Sequence, residues 1–353
     1  MQSYYVLFLL ALLGALVVAA AATPLVRLLA VRWGAIDVPG ERKIHVSPIP
    51  RLGGLAIWTA VWVAALVAVR LLPTDRRLTP SSSLPELGAV FAAATVILLV
   101  GMTDDRRGEM RPFTKLVFQF VACMILVAFG IRVSVFGTYW LDLPLTILWV
   151  LGLTNALNLL DNMDGLSAGA TAIAAAFFFL LAVLNGQVLV ALLAAALVGA
   201  CLGFLIYNYN PASIFMGDTG SLTLGFMLAV LGMKLQIHNS TRLSFVIAAL
   251  VLGVPIFDTA FVVWRRLTEG RRVMQGAKDH VSHRLVILGL DQKQAVWALY
   301  GASFLGGFAA LLASQGDRWF VLTVMAPVVL GVIGASAFLA KVPTTSRRYE
   351  RSP

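Results

Sequence analysis

Charged residues and cysteines are scarce in this sequence, and their scarcity limits what the protein can be. Asp, Glu, Lys and Arg make up only 12% of the 353 residues, whereas an average soluble domain contains about 25%. The two cysteines, Cys123 and Cys201, lie inside apolar runs without a CxxC or CxxH pattern, which disfavours a disulfide framework or a zinc site. The longest polar stretch covers only residues 264–293. These absences exclude a soluble domain and predict one membrane-embedded domain over residues 1–353.

Apolar residues dominate instead, at 59% of the chain. They form eleven runs of roughly 17 to 25 residues, the length that spans a bilayer as a helix. The runs are residues 4–30, 52–72, 86–102, 113–130, 142–157, 167–185, 187–207, 219–235, 243–263, 294–314 and 318–340. No Lys or Arg precedes the first run, so we interpret it as a retained span rather than a secretory signal. The sequence predicts an all-α polytopic membrane protein with 10 to 11 transmembrane helices.

The basic residues predict the orientation of these helices. Of the 27 Lys and Arg residues, 20 lie in or beside the odd-numbered loops, and the positive-inside rule places those loops in the cytoplasm. The N-terminus is then outside and the C-terminus cytoplasmic. Orientation and attraction to anionic lipid headgroups account for the net charge of +10, so no nucleic-acid partner is expected. The predicted cytoplasmic loops cover residues 31–51, 103–112, 158–166, 208–218 and 264–293.

The polar motifs all lie in these predicted cytoplasmic loops. A transporter built from inverted repeats would instead place its polar groups near the bilayer midplane, and the sequence shows no internal repeat. One-sided polarity favours an enzyme that combines a lipid with a water-soluble substrate from the cytoplasm. A multi-pass transporter of an anionic metabolite is the alternative, and an intramembrane aspartyl protease is a third hypothesis because of the "MGD" at 216–218.

The densest motif is "NALNLLDNMDGLSAG", residues 155–169. Three of its polar residues are spaced three apart, so they share one face of a helix. These are Asn155, Asn158 and Asp161. We expect Gly165 to end the helix and Ser167 to cap the next one, with Asp164 in the intervening turn near Asp161. Capping a helix needs one Asn or Asp, whereas residues 158–164 contain four, namely Asn158, Asp161, Asn162 and Asp164. This excess favours a binding function.

Two further acidic motifs point to phosphate and metal chemistry. "FMGDTGS" places Asp218 at a predicted helix start, where amide groups favour anions and a carboxylate can bind a hard cation such as Mg²⁺. "MTDDRR" places Asp104 and Asp105 together at the end of the third run. A solvated charged turn is the alternative for this pair, although a carboxylate is unfavourable at a helix C-terminus.

The basic motifs are candidates for binding phosphate or sugar. "KDHVSHRL" contains two histidines beside cations that suit an anionic pyrophosphate, and "RKIHVSPIPR" places basic residues next to the second run. The candidates are Lys43, Arg51, His280, His283 and Arg284. Contact with lipid headgroups is the alternative for the residues near 42–51. "GVPIFD" contributes Asp258 near a proline, which is also common at a plain helix kink.

Taken in order, these motifs resemble those of the polyprenyl-phosphate N-acetylhexosamine-1-phosphate transferases of glycosyltransferase family 4, over residues 37–290. The resemblance implies transfer of a sugar 1-phosphate, N-acetylglucosamine 1-phosphate in the branch it most resembles, from a UDP-sugar to undecaprenyl or another polyprenyl phosphate. It also implies release of UMP, a Mg²⁺ cofactor that Mn²⁺ can replace, a cell-membrane location with a cytoplasmic active site, and a role at the first membrane step of cell-envelope glycopolymer synthesis. A homodimer is an assembly that it allows.

The resemblance also implies roles for individual residues. Asp104 and Asp105 become the acidic pair beside the lipid phosphate, Phe215 the stacking partner of uracil and Asp218 the Mg²⁺ ligand. The nucleotide-facing residues are Asn158, Asp161 and Asp164. The expected reaction is direct attack by the lipid phosphate, with a covalent aspartyl phosphate as the alternative.

Two positions depart from the family pattern. Ser282 stands where the branch often has the middle histidine of His-x-His-His, and Asn162 stands where a glycine is common.

Overall fold

The computed structural model describes residues 4–38, 48–71, 83–108, 110–238, 240–272 and 279–342. Within these residues the fold consists of thirteen helices and one short antiparallel hairpin, which confirms the all-α prediction. The elements are α1 (Tyr5–Arg32), β1 (Ile36–Asp37), β2 (Ile49–Pro50), α2 (Gly53–Leu71), α3 (Ser83–Arg107), α4 (Pro112–Ala128), α5 (Tyr139–Leu160), α6 (Leu166–Leu184), α7 (Val188–Asn208), α8 (Gly217–Lys234), α9 (Thr241–Val251), α10 (Gly253–Thr268), α11 (Val281–Ile287), α12 (Gln292–Ala313) and α13 (Arg318–Ala340).

Each of the eleven predicted apolar runs is a helix or a pair of helices in the structure. Among the described residues, eight helices are long and apolar enough to cross a membrane, namely α1, α2, α3, α5, α6, α7, α12 and α13. A ninth span results if α9 and α10 count as one. Helix α4 has 17 residues, and α8 begins with the polar sequence Gly-Asp-Thr-Gly-Ser. The count of eleven therefore stays a prediction.

The predicted run 243–263 is not one straight helix. It is divided at Leu252 into α9 and α10, and the direction of the chain changes by 76° between the two helices. Pro255 explains where the helix breaks, because its ring clashes with the carbonyl four residues earlier, at Val251, the last residue of α9. The bend gives α10 its own direction, and Asp258 on α10 is 1% exposed inside the bundle.

Small side chains allow the helices to pack closely. On α1, Ala11, Ala15 and Ala19 recur every four residues and are almost fully buried, and α1 packs against α2 and α7. Small residues suit this packing because helices in a bilayer gain little from the hydrophobic effect and associate through close contact. Helix α7 lies at the centre of the bundle, where 78% of the residues in its apolar stretch are buried. By contrast, none of the residues in the corresponding stretch of α13 is buried.

The helix ends with polar motifs meet at one end of the bundle, which we call the polar end. Side chains there join the start of α4, the end of α5 and the start of α8: Asp218 contacts both Lys115 and Asn158. At the opposite end, Lys234 Nζ lies 2.7 Å from Glu86 Oε2, and His238 Nε2 lies 2.7 Å from the carbonyl oxygen of Ser314. The bundle therefore brings polar residues that are far apart in the sequence, from Asp104 to Ser221, together at a single end.

Candidate active site

Asp105 joins the end of α3 to the start of α8. Its Oδ1 accepts a hydrogen bond from the Asp218 amide at 3.0 Å, and its Oδ2 accepts from the Thr219 amide at 2.9 Å and the Thr219 hydroxyl at 2.6 Å. The first amides of a helix have no partner inside the helix, so an acceptor from another helix stabilises them. Asp105 thereby fixes the backbone from which the Asp218 side chain projects.

Two glycines allow α2 and α3 to reach this helix start. A Cβ atom on Gly101 would lie 2.5 Å from the amide nitrogen of Thr219, and one on Gly54 would lie 2.1 Å from the Cα of Gly220. Real Cβ atoms do not approach backbone so closely, because such contacts are deep inside the van der Waals radii. Any larger residue at either position would push α8 and Asp218 away from their neighbours.

Lys115 bridges two carboxylates at the polar end. Its Nζ lies 2.6 Å from Asp218 Oδ2 and 3.0 Å from Asp104 Oδ2, while Asp104 Oδ1 accepts a hydrogen bond from the Met110 amide at 2.6 Å. The sequence analysis did not predict Lys115 as a site residue. A signal existed, because Lys115 lies four residues into α4, near the helix N-terminus, where the macrodipole disfavours a cation.

Helix α5 presents its predicted polar face to this cluster. Asn158 Nδ2 donates hydrogen bonds to Asp218 Oδ1 and to Ser221 Oγ, both at 2.9 Å. One turn earlier, Asn155 Nδ2 donates to Gln119 Oε1 of α4 at 2.6 Å. Gln119 is fully buried, and it too was missed by the sequence analysis. Polar contacts therefore join α5 to α8 at Asn158 and, one turn earlier, to α4 at Asn155.

The turn after α5 contains the other two acids. Asp161 follows the last residue of α5, and its carboxylate accepts no hydrogen bond from the described part of the chain. Burial raises the pKa of Asp161 well above its usual value, and nearby carboxylates, first that of Asp218, raise it further. Asp161 nevertheless keeps part of its surface accessible. A crowded carboxylate with free acceptor atoms is suited to binding a ligand.

Asp164 holds a neighbouring loop. Its Oδ2 accepts hydrogen bonds from Asn210 Nδ2 and from the Ala212 amide, both at 3.0 Å. The predicted cap by Ser167 is wrong: the residue before α6 is Gly165, in the left-handed conformation at φ 78°, and the Ser167 hydroxyl donates instead to the Leu157 carbonyl. Helix α6 starts directly after this left-handed residue, so Ser167 already lies within its first turn.

The segment before α8 pairs with the small hairpin. The Phe215 amide donates to the Pro50 carbonyl at 2.8 Å, and the Phe215 carbonyl accepts from the Gly53 amide at 3.0 Å. Arg51 beside this pairing forms an ion pair with Asp37, and its charge favours ionisation of Asp161. The structure therefore brings Phe215 and Arg51 to the polar end. Lys43 lies outside the described residues.

The two predicted histidines are buried at α11. A hydrogen bond of 2.7 Å joins His280 Nδ1 to Asp258 Oδ2, and the Val281 amide donates to Asp258 Oδ1, also at 2.7 Å. Asp258 thus caps α11 and orients the His280 ring. The ring centroid of His283 lies 6.3 Å from that of His280.

Arg284 makes its described contacts away from the carboxylate cluster. Its side chain is fully buried, and its Nη1 donates to the carbonyl oxygens of Leu339 at 3.0 Å and Val342 at 2.6 Å, at the end of α13. Its guanidinium also lies 5.1 Å from the ring centroid of Phe261. These contacts fasten α13 to α11, and they correct the expectation that Arg284 faces a substrate phosphate.

The carboxylate cluster has the chemistry of a cation site. Asp104, Asp105 and Asp218 each offer an oxygen, and these oxygens lie within 4.8 Å of one another. Counted over the part of the chain that the structure describes, three ionised carboxylates and the ammonium of Lys115 leave a surplus of two negative charges. Oxygen ligands from carboxylates are those that Mg²⁺ and similar hard cations prefer. The cluster can therefore hold a divalent cation and, through it, an anionic substrate.

Comparison with known proteins relates the whole chain to one group of enzymes. A family model described as "Glycosyl transferase family 4" matches residues 87–236. The chain is 34% identical to the probable undecaprenyl-phosphate N-acetylglucosaminyl 1-phosphate transferase of Bacillus subtilis, over 93% of this chain and 92% of the relative. It is 37% identical to the decaprenyl-phosphate N-acetylglucosaminephosphotransferase of Mycolicibacterium smegmatis, over 92% and 87%. It is 36% identical to the phospho-N-acetylmuramoyl-pentapeptide-transferase of Desulforamulus reducens, over 78% and 84%.

Proposed function

The chain belongs to glycosyl transferase family 4, and from that premise we propose that it transfers N-acetylglucosamine 1-phosphate from a UDP-sugar to undecaprenyl or another polyprenyl phosphate and releases UMP. The observation that supports this most strongly is the cluster of Asp104, Asp105 and Asp218, bridged by Lys115 at one end of an apolar bundle. Such a site can hold a charged nucleotide substrate beside the membrane that contains the lipid substrate. The names of the Bacillus subtilis and Mycolicibacterium smegmatis relatives support a polyprenyl phosphate and N-acetylglucosamine, whereas the name of the Desulforamulus reducens relative specifies phospho-N-acetylmuramoyl-pentapeptide instead.

We also propose that the polar end faces the cytoplasm. The distribution of 20 of 27 basic residues among the odd-numbered loops supports it. The eight apolar helices, the bent pair α9 and α10, and the shorter or more polar α4 and α8 together make the eleven spans of the proposal. The N-terminus is then outside, and the enzyme acts at the inner face of the cell membrane, at the first membrane step of a cell-envelope polymer. A homodimer is not part of the proposal.

The donor set fits Mg²⁺. The Lys115 ammonium lies where oxygens of Asp104 and Asp218 converge, so these side chains already gather around one positive charge. We propose that Asp218 holds the metal ion, with Asp104 and Asp105 completing the acidic environment. When bound, a divalent cation would offset negative charge on the pyrophosphate and on the leaving UMP. Mn²⁺ also prefers oxygen ligands and is expected to substitute.

The acceptor needs positioning more than activation. A phosphate monoester has a second pKa of about 6, so a lipid phosphate is largely dianionic at neutral pH and already nucleophilic. We propose that Asp104 orients the lipid phosphate or takes its remaining proton, because Asp105 uses both oxygens to cap α8. Lys115 lowers the repulsion between two anionic substrates. An aspartyl phosphate is the alternative, and trapping a phosphorylated enzyme from the UDP-sugar alone would overturn direct attack.

The remaining residues are proposed to hold the nucleotide sugar. Asp161, whose carboxylate has free acceptor atoms, faces the nucleotide together with residues of the same turn, and Phe215 stacks on uracil. The residues proposed at the phosphate and sugar are Lys43, Arg51, His280 and His283, and those on the nucleotide are Asn158, Asp161 and Asp164. Arg284 is left out because its side chain is buried and its Nη1 donates to carbonyl oxygens at the end of α13.

The test is a reconstituted reaction. Purified protein, undecaprenyl phosphate, Mg²⁺ and UDP-N-acetylglucosamine should yield UMP and a lipid-linked sugar, and a panel of other UDP-sugars should react more slowly. Absence of UMP with every donor would contradict the proposal. The transporter alternative predicts uptake into vesicles without UMP. An aspartyl protease would need a proton shared by two carboxylates, and Lys115 bridges Asp104 and Asp218 instead.

A further inference from the structure

A hydrogen bond connects the acidic turn after α5 to the histidine segment, across 120 residues of sequence. The Ser282 hydroxyl donates to Asn162 Oδ1 at 2.6 Å. Ser282 is 1% exposed, and Asn162 is partly buried. A buried polar contact between this turn and the start of α11 fixes their separation more tightly than apolar packing does, because breaking it leaves a desolvated oxygen unpaired.

The Asn162 amide is held at both of its polar atoms. Its Nδ2 donates to the Leu159 carbonyl at 2.8 Å, and its Oδ1 accepts from Ser282. Because an amide nitrogen only donates and an amide oxygen only accepts, rotating the group by 180° would lose both bonds. The orientation of Asn162 is therefore defined, and the turn that contains Asp161 and Asp164 is fixed relative to Ser282.

Helix α10 also holds the histidine segment, through the side chain of Asp258. Ser282 lies between His280 and His283, and Asp258 binds both the His280 ring and the Val281 amide. Side-chain contacts from three elements thus hold α11, namely α10 through Asp258, the α5–α6 turn through Asn162, and the end of α13 through Arg284. The contact through Asn162 is the one that links α11 to the acidic turn, so without it the His280 ring could shift relative to the acids of that turn.

We propose that Asn162 and Ser282 form a positioning pair that sets the distance between the acidic turn and His280 during transfer. The inference rests on the proposed function. The Ser282 proton and both ends of the Asn162 amide are used within the protein, so the pair acts through His280 and Asp161 rather than on the substrates. Displacements of about 1 Å in such sites lower rates by up to about a hundredfold.

The experiment is a double-mutant cycle on kcat for UMP release, normalised to the folded fraction. Ser282→Ala and Asn162→Ala should each lower kcat about tenfold, with KM for the UDP-sugar changed less than threefold. The double variant should be no slower than the slower single variant. Ser282→Thr keeps the hydroxyl and should retain at least half of the activity. In a His280→Ala background, Ser282→Ala should change kcat less than twofold.

Ser303→Ala is the matched control, because Ser303 is also a buried serine but its hydroxyl donates only to Leu299 of its own helix. It should leave kcat unchanged. Effects of Ser282→Ala and Asn162→Ala that multiply, or a tenfold effect of Ser282→Ala that persists without His280, would overturn the proposal.

A second measurement separates this inference from the proposed function. In thermal unfolding, each single substitution should lower Tm by about 2 °C, and the double substitution should lower it no further than the larger single effect. Additive losses of Tm would refute the pairing even in a protein without transferase activity. Conversely, wild-type protein that releases no UMP refutes the proposed function, while the Tm cycle still decides whether the two side chains are coupled.

Discussion

Two buried charge clusters in this protein differ in how their charges are balanced. At the junction of α10 and α11, Asp279 accepts hydrogen bonds from Arg266 at 2.7 and 3.0 Å and from Arg271 at 3.2 Å. Although burial alone would raise the pKa of Asp279, the hydrogen bonds and charge of Arg266 hold it below its usual value. Both oxygens of the Asp279 carboxylate accept hydrogen bonds from arginine side chains, so this carboxylate is satisfied without a ligand.

The carboxylate cluster at the polar end is the opposite case. Among the described residues, Asp104 and Asp218 share one cation, Lys115, and with Asp105 beside them the cluster keeps a surplus of negative charge. Both clusters are buried and highly charged, so neither burial nor charge alone distinguishes a structural site from a binding site. The distinction lies in whether the charges and hydrogen-bond acceptors are satisfied within the chain. This difference predicts that the two clusters respond oppositely to ligands and substitutions.

Removal of divalent cations should have the largest effect. Because the polar-end cluster lacks enough positive charge of its own, EDTA should reduce UMP release below detection, and Mg²⁺ or Mn²⁺ should restore it. The measurement is turnover against free metal concentration. EDTA should leave Tm in substrate-free protein within about 3 °C, since the arginine cluster needs no metal. Full turnover in metal-free buffer would show that the carboxylate cluster at the polar end does not need a divalent cation.

Asp218→Asn should lower kcat about a thousandfold, because it removes the negative charge proposed to hold the metal ion. The asparagine is nearly the same size and can still accept the hydrogen bond from Asn158, so Tm should change little. His238→Ala is the control: His238 contacts the Ser314 carbonyl at the opposite end of the bundle, and its loss should leave kcat near that of wild type. An Asp218→Asn enzyme within tenfold of wild type contradicts the assigned role.

Lys115→Met should lower kcat about a hundredfold and yet tighten the binding of Mn²⁺. Among the described residues, Lys115 is the one cation that contacts Asp104 and Asp218. Its removal increases the attraction of the cluster for a metal ion and loses a charge that offsets substrate repulsion. Titration of the substrate-free protein with Mn²⁺ measures the first effect and UMP release the second. Weaker Mn²⁺ binding in this variant would show that Lys115 supports the metal site instead of competing with it.

Asp279→Asn should have the smallest effect on catalysis, less than twofold in kcat, but should cost about 3 to 5 kcal/mol of stability because it leaves Arg266 buried without a full partner. The lowered pKa sets the pH dependence. Ionised Asp279 stabilises the fold above its unfolded-state pKa of about 3.9, and this contribution is lost as the pH falls through the lower, folded-state pKa. The variant should lose less stability than wild type over that acid range, as followed by unfolding at several pH values. Equal acid sensitivity would argue against the ion pair.

Local patterns in the sequence predicted much of the fold and part of the site. Each apolar run is helical, Asn155 and Asn158 lie about one turn apart on α5, and Asp218 lies at a helix start. These features follow from periodicity and from turn-forming residues, which act over a few positions. Asp161, predicted to share the helix face of the two asparagines, instead follows the last residue of α5. The bend at Leu252 was missed because the position of a proline shows that a helix is perturbed but not by what angle.

The features that the sequence could not provide depend on contacts between distant residues. Lys115 and Asp218 are separated by 103 positions, and the link from Ser282 to Asn162 spans 120. Arg284 was predicted to bind phosphate because it follows two histidines in a basic segment, yet its donors reach the carbonyl groups at the end of α13. Residue type predicted a charge, and tertiary packing decided what that charge contacts. The two residues that depart from the family pattern, Asn162 and Ser282, are hydrogen-bonded to each other.

The cap that Asp105 places on α8 limits how this enzyme can handle anions. Many proteins bind phosphate directly with the free amides at a helix start. Here the amides of Asp218 and Thr219 already donate to a carboxylate of the protein itself, so that route is closed. Under the proposed function, a pyrophosphate at this site would find its positive partners in side chains and in a dissociable ion. Binding of the donor should therefore vary with the supply of that ion in a way that an amide-lined phosphate loop would not.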